Sequence, residues 1–165
     1  MIAGSAESGT AAYPGDSLMG MDENPFYAPS ELPYQLPQFD RIRDEHFRPA
    51  FERGMAEQRA EVEAIAANPE PPTFDNTLVA LERSGAILRR VSAVFDNLTA
   101  ADTNPTRQEL KRELAPRLAA HYDAIYLDRR LYERVRALYE RRDTLELDDE
   151  SRWLLERYHT AFVRA

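Results

Sequence analysis

From Asp40 onward the apolar residues of this chain recur at intervals of three and four, and they keep doing so to the last turn. That interval is a helix's, because it returns side chains to one face, whereas a strand needs strict alternation. No such alternation persists after residue 40. The chain is therefore expected to be all-α, with about five helices packed as antiparallel helical hairpins.

Punctuation in the pattern sets the expected helix ends. Phe47, Phe51, Met55, Val62 and Ile65 mark one stripe, interrupted by Gln58 and stopped at Asn68-Pro69. Asp44 reads as its cap, which leaves Pro49 in the first turn where few hydrogen bonds are lost. A second helix, opening near Asp75 or Asn76, carries Leu78, Leu81, Leu88, Val91, Phe95 and Leu98 to about Ala101, with Ile87 and Val94 widening its apolar face. Gly85 falls inside it at a cost of about 1 kcal/mol relative to alanine. Close approach of a neighbouring helix is the expected reason. Asn104-Pro105 opens a third helix in the favoured cap-then-proline order, with Leu110, Leu114, Leu118 and Ile125 inward. Pro116 should kink or break it. Asp128 caps a fourth, carrying Leu131, Val135 and Leu138 to about Asp143, and Asp148 caps a fifth with Leu154, Leu155, Tyr158 and Phe162.

Residues 24–38 carry Pro25, Pro29, Pro33 and Pro37, a spacing that forbids a helix and favours extended or turn backbone. They are read as a strap whose aromatics Phe26, Tyr27, Tyr34 and Phe39 dock on the helical body. A proline-rich ligand reading needs an exposed P-x-x-P, which this segment lacks. Residues 1–23 are small, Gly- and Ser-rich and aperiodic, and are expected to be disordered. The first basic residue is Arg41, so no secretory signal is recognised there, and Met19 or Met21 is an alternative start. The domain proper is placed at 24–165.

Composition excludes several partners. With 165 residues and 43% apolar content there is enough material for one core. Against 21 basic residues stand 29 acidic ones, and a net charge of −8 repels phosphate backbones and anionic lipid. Neither nucleic acid nor membrane is expected as a partner. The absence of cysteine fits a reducing, cytoplasmic setting, with the periplasm as the alternative. No apolar run approaches the roughly 20 residues needed to cross a bilayer.

Residue patterns that carry chemistry are mostly missing. His46, His121 and His159 are far apart, and none has a partner at the spacing that puts two ligands on one helix face. Asp44, Glu45 and His46 fail as an inverted zinc motif because Ile42 stands where the first histidine is required. The only lysine, Lys111, has no phosphate-cradling glycines before it. Catalytic residues and metal ligands are thus expected to be none, and no substrate-binding residue is assignable. Two features remain. Tyr122, Tyr126, Tyr132, Tyr139 and Tyr158 fall on three successive helices and fit either a peptide-binding wall or, preferably, a half-buried bundle surface. The run "RRLYERVRALYERRD" reads as a solvated face laced by i, i+4 ion pairs.

The string "NPF…LPY…PQFD…HFRPAFERGMAEQRAEVEAIAANPEPPTFDNTLVALERSG", continued by "AHYDAIYLD" and "LYERVRALYERRDTLELD", strongly resembles the amino-terminal region of the thimet oligopeptidase and peptidyl-dipeptidase family of zinc metallopeptidases, closest to the bacterial peptidyl-dipeptidase branch. It covers residues 24–165. Glu146 departs from the pattern, since the family often places a glycine there to end the fourth helix. The resemblance implies a helical domain forming part of one wall of a deep channel that admits short peptides. In such enzymes an H-E-x-x-H helix and a further glutamate supply the zinc site, and the resemblance places all of these beyond Ala165. "ERYHTAFVRA" also stops in mid-period without a stop signal, so a longer chain is expected. The implied partners are the missing catalytic domain and short peptide substrates, with self-association of the isolated segment through uncovered apolar surface. The alternative is a free-standing helical protein-interaction module without catalysis.

Overall fold

A computed structural model describes residues 24–165, and the disorder expected of residues 1–23 lies outside the described residues. The described residues hold six α-helices: α1 (Phe47–Ala66), α2 (Ala80–Arg83), α3 (Ala86–Ala101), α4 (Pro105–Tyr126), α5 (Arg129–Glu140) and α6 (Asp149–Arg164). No strand occurs among them. The all-α expectation stands, with five long helices and one short.

Local side-chain chemistry explains most helix starts. Asn104 accepts from the Arg107 amide at 2.8 Å with Pro105 at the first helical position, and Asp148 accepts from the Ser151 amide at 2.8 Å. Asp128 accepts from the Arg130 and Leu131 amides. Each satisfies donors that the first turn would leave unpaired. Thr73 and Asn76 cap one another reciprocally at 3.0 and 2.9 Å, starting the π-type turn Phe74–Val79 that feeds α2.

The expected second helix is interrupted. It splits at Ser84 and Gly85 into α2 and α3, and Gly85 sits at φ 68° as the residue before α3. This left-handed backbone is what glycine provides there, correcting the expectation that it lies in a helix interior. Its amide donates to Glu61 Oε2 of α1 at 2.7 Å, so the break is held from outside. Close helix approach occurs instead at Gly54: a β-carbon on it would lie 2.8 Å from the Leu88 backbone nitrogen.

Asp44 is not the cap of α1. It lies in the 3₁₀ turn Asp44–His46, and α1 follows His46 without a side-chain cap. The Asp44 carboxylate instead accepts from Asn104 Nδ2 and Arg107 Nε, both at 2.7 Å, tying this turn to the start of α4. Pro116 does not break α4, which runs on to Tyr126. Pro116 and Arg112 face solvent, so water can serve the carbonyl that the proline leaves without a donor. Helix α5 stops at Glu140, short of Asp143, and the following turn closes without glycine as the Leu147 amide donates to the Leu145 carbonyl.

Two apolar clusters form the interior. Phe47, Phe51 and Met55 of α1 pack with Leu88, Val91 and Phe95 of α3, with Leu110 and Leu114 of α4, and with Phe26. Phe47 and Phe51 meet the Phe95 ring edge-on at 5.0 and 5.4 Å. The second cluster joins Val62 and Ile65 of α1 to Leu78, Leu81, α5 (Leu131, Val135, Leu138) and α6 (Leu155, Phe162). The strap docks only in part: Phe26 is buried and Tyr27 packs on the first cluster, but Tyr34 is 97% exposed and Phe39 half exposed. Tyr34 and Gln35 turn through positive φ in the short turn Pro33–Gln35, which points this end of the strap away from the body.

Candidate functional site

The chemistry-bearing side chains fall into three places. The first surrounds Gln58 on the second half of α1. Its Oε1 lies 2.7 Å from His121 Nε2 of α4, and its Nε2 is 3.5 Å from Ser84 Oγ. His121 is 2% exposed, and its Nδ1 has no hydrogen-bond partner in the protein. Burial, together with the nearby Arg59 charge, pulls the imidazole below its ordinary value of 6.5. The ring is held neutral at pH 7. Beside it a crevice of about 50 Å³ is lined by Gln58, Ser84, Tyr122, Tyr126, Tyr158 and Phe162. That is room for a few waters and far below the roughly 300 Å³ of a small-ligand pocket.

The tyrosines do not form one wall. Tyr122, Tyr126 and Tyr158 meet at this crevice, whereas Tyr132 and Tyr139 of α5 lie against His159 of α6. Tyr139 and His159 stack at 3.8 Å with an interplanar angle of 3°. Four of the five are half-buried on the second cluster, and Tyr122 is the more exposed one. Tyr158 donates to Glu82 Oε1 at 2.7 Å; burial first, and then Glu82, raises its pKa.

The second place is the arginine-rich helix α5. Arg129–Glu133 and Arg136–Glu140 are the expected i, i+4 pairs, at 2.9 and 3.3 Å. Arg130 instead reaches α1, forking onto Glu63 at 2.9 and 2.7 Å. Arg134 departs from the expected solvated face altogether, being 7% exposed. It donates to the Asn68 and Glu70 carbonyls at 2.8 and 3.0 Å and to Asn76 Oδ1 at 2.9 Å. Sequence spacing alone gave no sign of this, since its neighbours on the helix are ordinary surface arginines.

The third is the outer side of α6. Trp153 stands 59% exposed between two hollows of about 440 and 420 Å³. Arg157 lies over its ring at 5.3 Å and binds Glu82 at 2.6 Å. The Trp153 surface was not singled out from sequence, although an apolar residue opposite the Leu155 and Phe162 stripe is a readable signal.

The structure does not bring the histidines together. His46 accepts from the Arg43 amide at 3.0 Å, His121 binds Gln58 and His159 stacks on Tyr139. Among the described residues no three His, Asp or Glu side chains are arranged to hold a metal ion. These residues do not fit a zinc site. No helix of the described residues is long and apolar enough to cross a membrane.

Known proteins give a consistent context. The chain is 49% identical over 145 residues to dipeptidyl carboxypeptidase of Salmonella typhimurium, which is 88% of this chain and 21% of that relative. Its similarity to dipeptidyl carboxypeptidase of Escherichia coli is also 49%, over 142 residues, 86% of this chain and 21% of that protein. Oligopeptidase A of Salmonella typhimurium is 27% identical over 105 residues, 64% of this chain and 15% of its own length. This chain therefore spans about a fifth of the length of the two curated dipeptidyl carboxypeptidase relatives. No family model matches it.

Proposed function

The chain belongs to the thimet oligopeptidase and peptidyl-dipeptidase family of metallopeptidases, and from that premise we propose that it is the amino-terminal helical part of a peptidyl-dipeptidase-like zinc enzyme that hydrolyses short peptides. In this reading, residues 24–165 form part of the wall of the substrate channel. Zinc and the groups that activate water belong to the catalytic domain, and the helical part is inactive alone. The chain's own contribution is a rigid surface.

One observation carries the reading: near half-identity runs along almost the whole of this chain yet takes in only a fifth of each relative. The rigidity it requires is supported by ties that bridge distant parts of the sequence, such as Asp44 to Arg107 and Arg130 to Glu63. The test is to assay the purified chain for zinc content and for release of dipeptides from short peptides, and to read its gene beyond codon 165. The expected result is neither stoichiometric zinc nor cleavage, with the frame continuing into H-E-x-x-H. Stoichiometric zinc with cleavage by this chain alone would sink the proposal.

The exposed Trp153 surface favours a second reading, a free-standing helical interaction module without catalysis. A reading frame that stops at codon 165 would select it.

A further inference from the structure

Helix α6 buries Leu155 and Phe162 on one side. On the opposite side Asp149, Trp153, Glu156, Thr160 and Arg164 are all exposed, at spacings of four, three, four and four residues. They form one line down the helix. Trp153 is a knob on that line and the chain's single tryptophan. Two turns further on, the small side chains Thr160 and Ala161 floor the hollow of about 440 Å³ beside it. Charge is unevenly placed: Asp149 stands at one end, Arg164 at the other, and Glu156 beside Arg157 in the middle.

We infer that this line pairs with the same line of a second copy of the chain, the two α6 helices lying antiparallel about a twofold axis that passes between Glu156 and Arg157. Residues equally far from the axis then face each other. Asp149 meets Arg164 of the second copy, Glu156 meets its Arg157, and Trp153 enters the hollow at its Thr160. The twofold axis makes every contact occur twice. Glu150 meets Val163 at the rim, a contact neutral in sign. Parallel pairing would instead set Asp149 against Asp149 and one indole against the other, so charge selects the antiparallel arrangement. Arg157 comes to the interface already held by Glu82 and the Trp153 ring, which reduces the ordering that binding must impose.

A single helix of 16 residues is about 24 Å long, which makes this a small interface with a dissociation constant on the order of 10 µM. The inference concerns the 165-residue chain itself and goes beyond the peptidase reading, so either can fail without the other.

The test is sedimentation of the 165-residue chain from about 1 to about 200 µM, a range bracketing that affinity, with Trp153 emission and acrylamide quenching read on the same samples. A monomer–dimer equilibrium with Trp153 shielded in the dimer is expected. Asp149→Arg and Arg164→Asp should each weaken the dimer at least about tenfold, as exposed charge pairs become repulsive twice over. An equimolar mixture of the two variants should restore association, because in the mixed dimer every end contact again joins opposite charges. Circular dichroism melting checks that both variants fold. A monomer with quenchable Trp153 at the highest concentration overturns the inference, as does a dimer indifferent to the reversals or a mixture no tighter than its components. Trp153 shielded within a monomeric longer gene product would assign the face to the rest of that protein, and would also overturn it.

Discussion

Gly54 of α1 lies against the Leu88 backbone of α3 so closely that a β-carbon there would stand 2.8 Å from the Leu88 nitrogen and 2.9 Å from its α-carbon. Backbone cannot swing aside as a side-chain tip can. Gly54→Ala is therefore expected to force the two helices apart and cost about 1–3 kcal/mol, despite alanine's better helix propensity. Urea denaturation should show a lower midpoint with an unchanged slope.

Asp44 joins the turn before α1 to the start of α4 through Asn104 and Arg107. Burial alone would raise its pKa, but the hydrogen bonds from Arg107 and Asn104 and the Arg107 charge outweigh that and hold it below 3.8. The tie is complete above the unfolded value near 3.8 and is lost as pH falls through the lower folded value. Asp44→Ala should cost about 2 kcal/mol at pH 7, seen as a lower Tm, and the difference from the parent chain should shrink below pH 3.8.

His121 contributes in the same direction, in a pH window nearer neutrality. Its folded pKa lies below 6.5, so its contribution is present above that value and falls as pH drops and the buried ring must take up a proton. His159 is shifted the same way by burial and then Arg142. Stability should decline from pH 7 to pH 5, by at most about 1.4 kcal/mol per pH unit for each histidine. His121→Gln should flatten the curve without abolishing it, as measured by urea melts across that range.

Arg134 caps the carbonyls of Asn68 and Glu70 from inside the fold. Arg134→Met keeps much of the stem but strands those acceptors, at a cost of about 2 kcal/mol. Limited proteolysis should then cut within residues 68–73, where the parent chain resists.

Short-range chemistry was the readable part of the fold. Asn104, Asp128 and Asp148 act on amides two or three residues ahead, so their capping roles follow from local order alone. The apolar stripes of α3 and α5 were legible for the same reason. Asp44 reads from sequence as a cap because a cap and a long-range ion pair need the same side chain, and Arg107 lies 63 residues away. Gly85 reads from sequence as a contact glycine and Gly54 carries no signal, since composition does not tell a positive φ from a close approach. At the candidate surfaces, the burial of Arg134 depends on where the loop after α1 passes, and the outward turn of Tyr34 on a backbone conformation that few tyrosines adopt. Neither leaves a periodic trace.

Helix α1 gives its first half to one apolar cluster and its second half to the other. Neither cluster is thus a module that recombination could lift out intact, because each would leave with only part of the beam that both rest on. A crossover between α3 and α4 would strand Phe51 and Met55 without Leu110 and Leu114, and equally Val62 and Ile65 without α5 and α6. Insertions should accumulate where the beam is not involved, such as the turn between α5 and α6, and the stretch from Phe47 to Phe162 should be inherited as one piece.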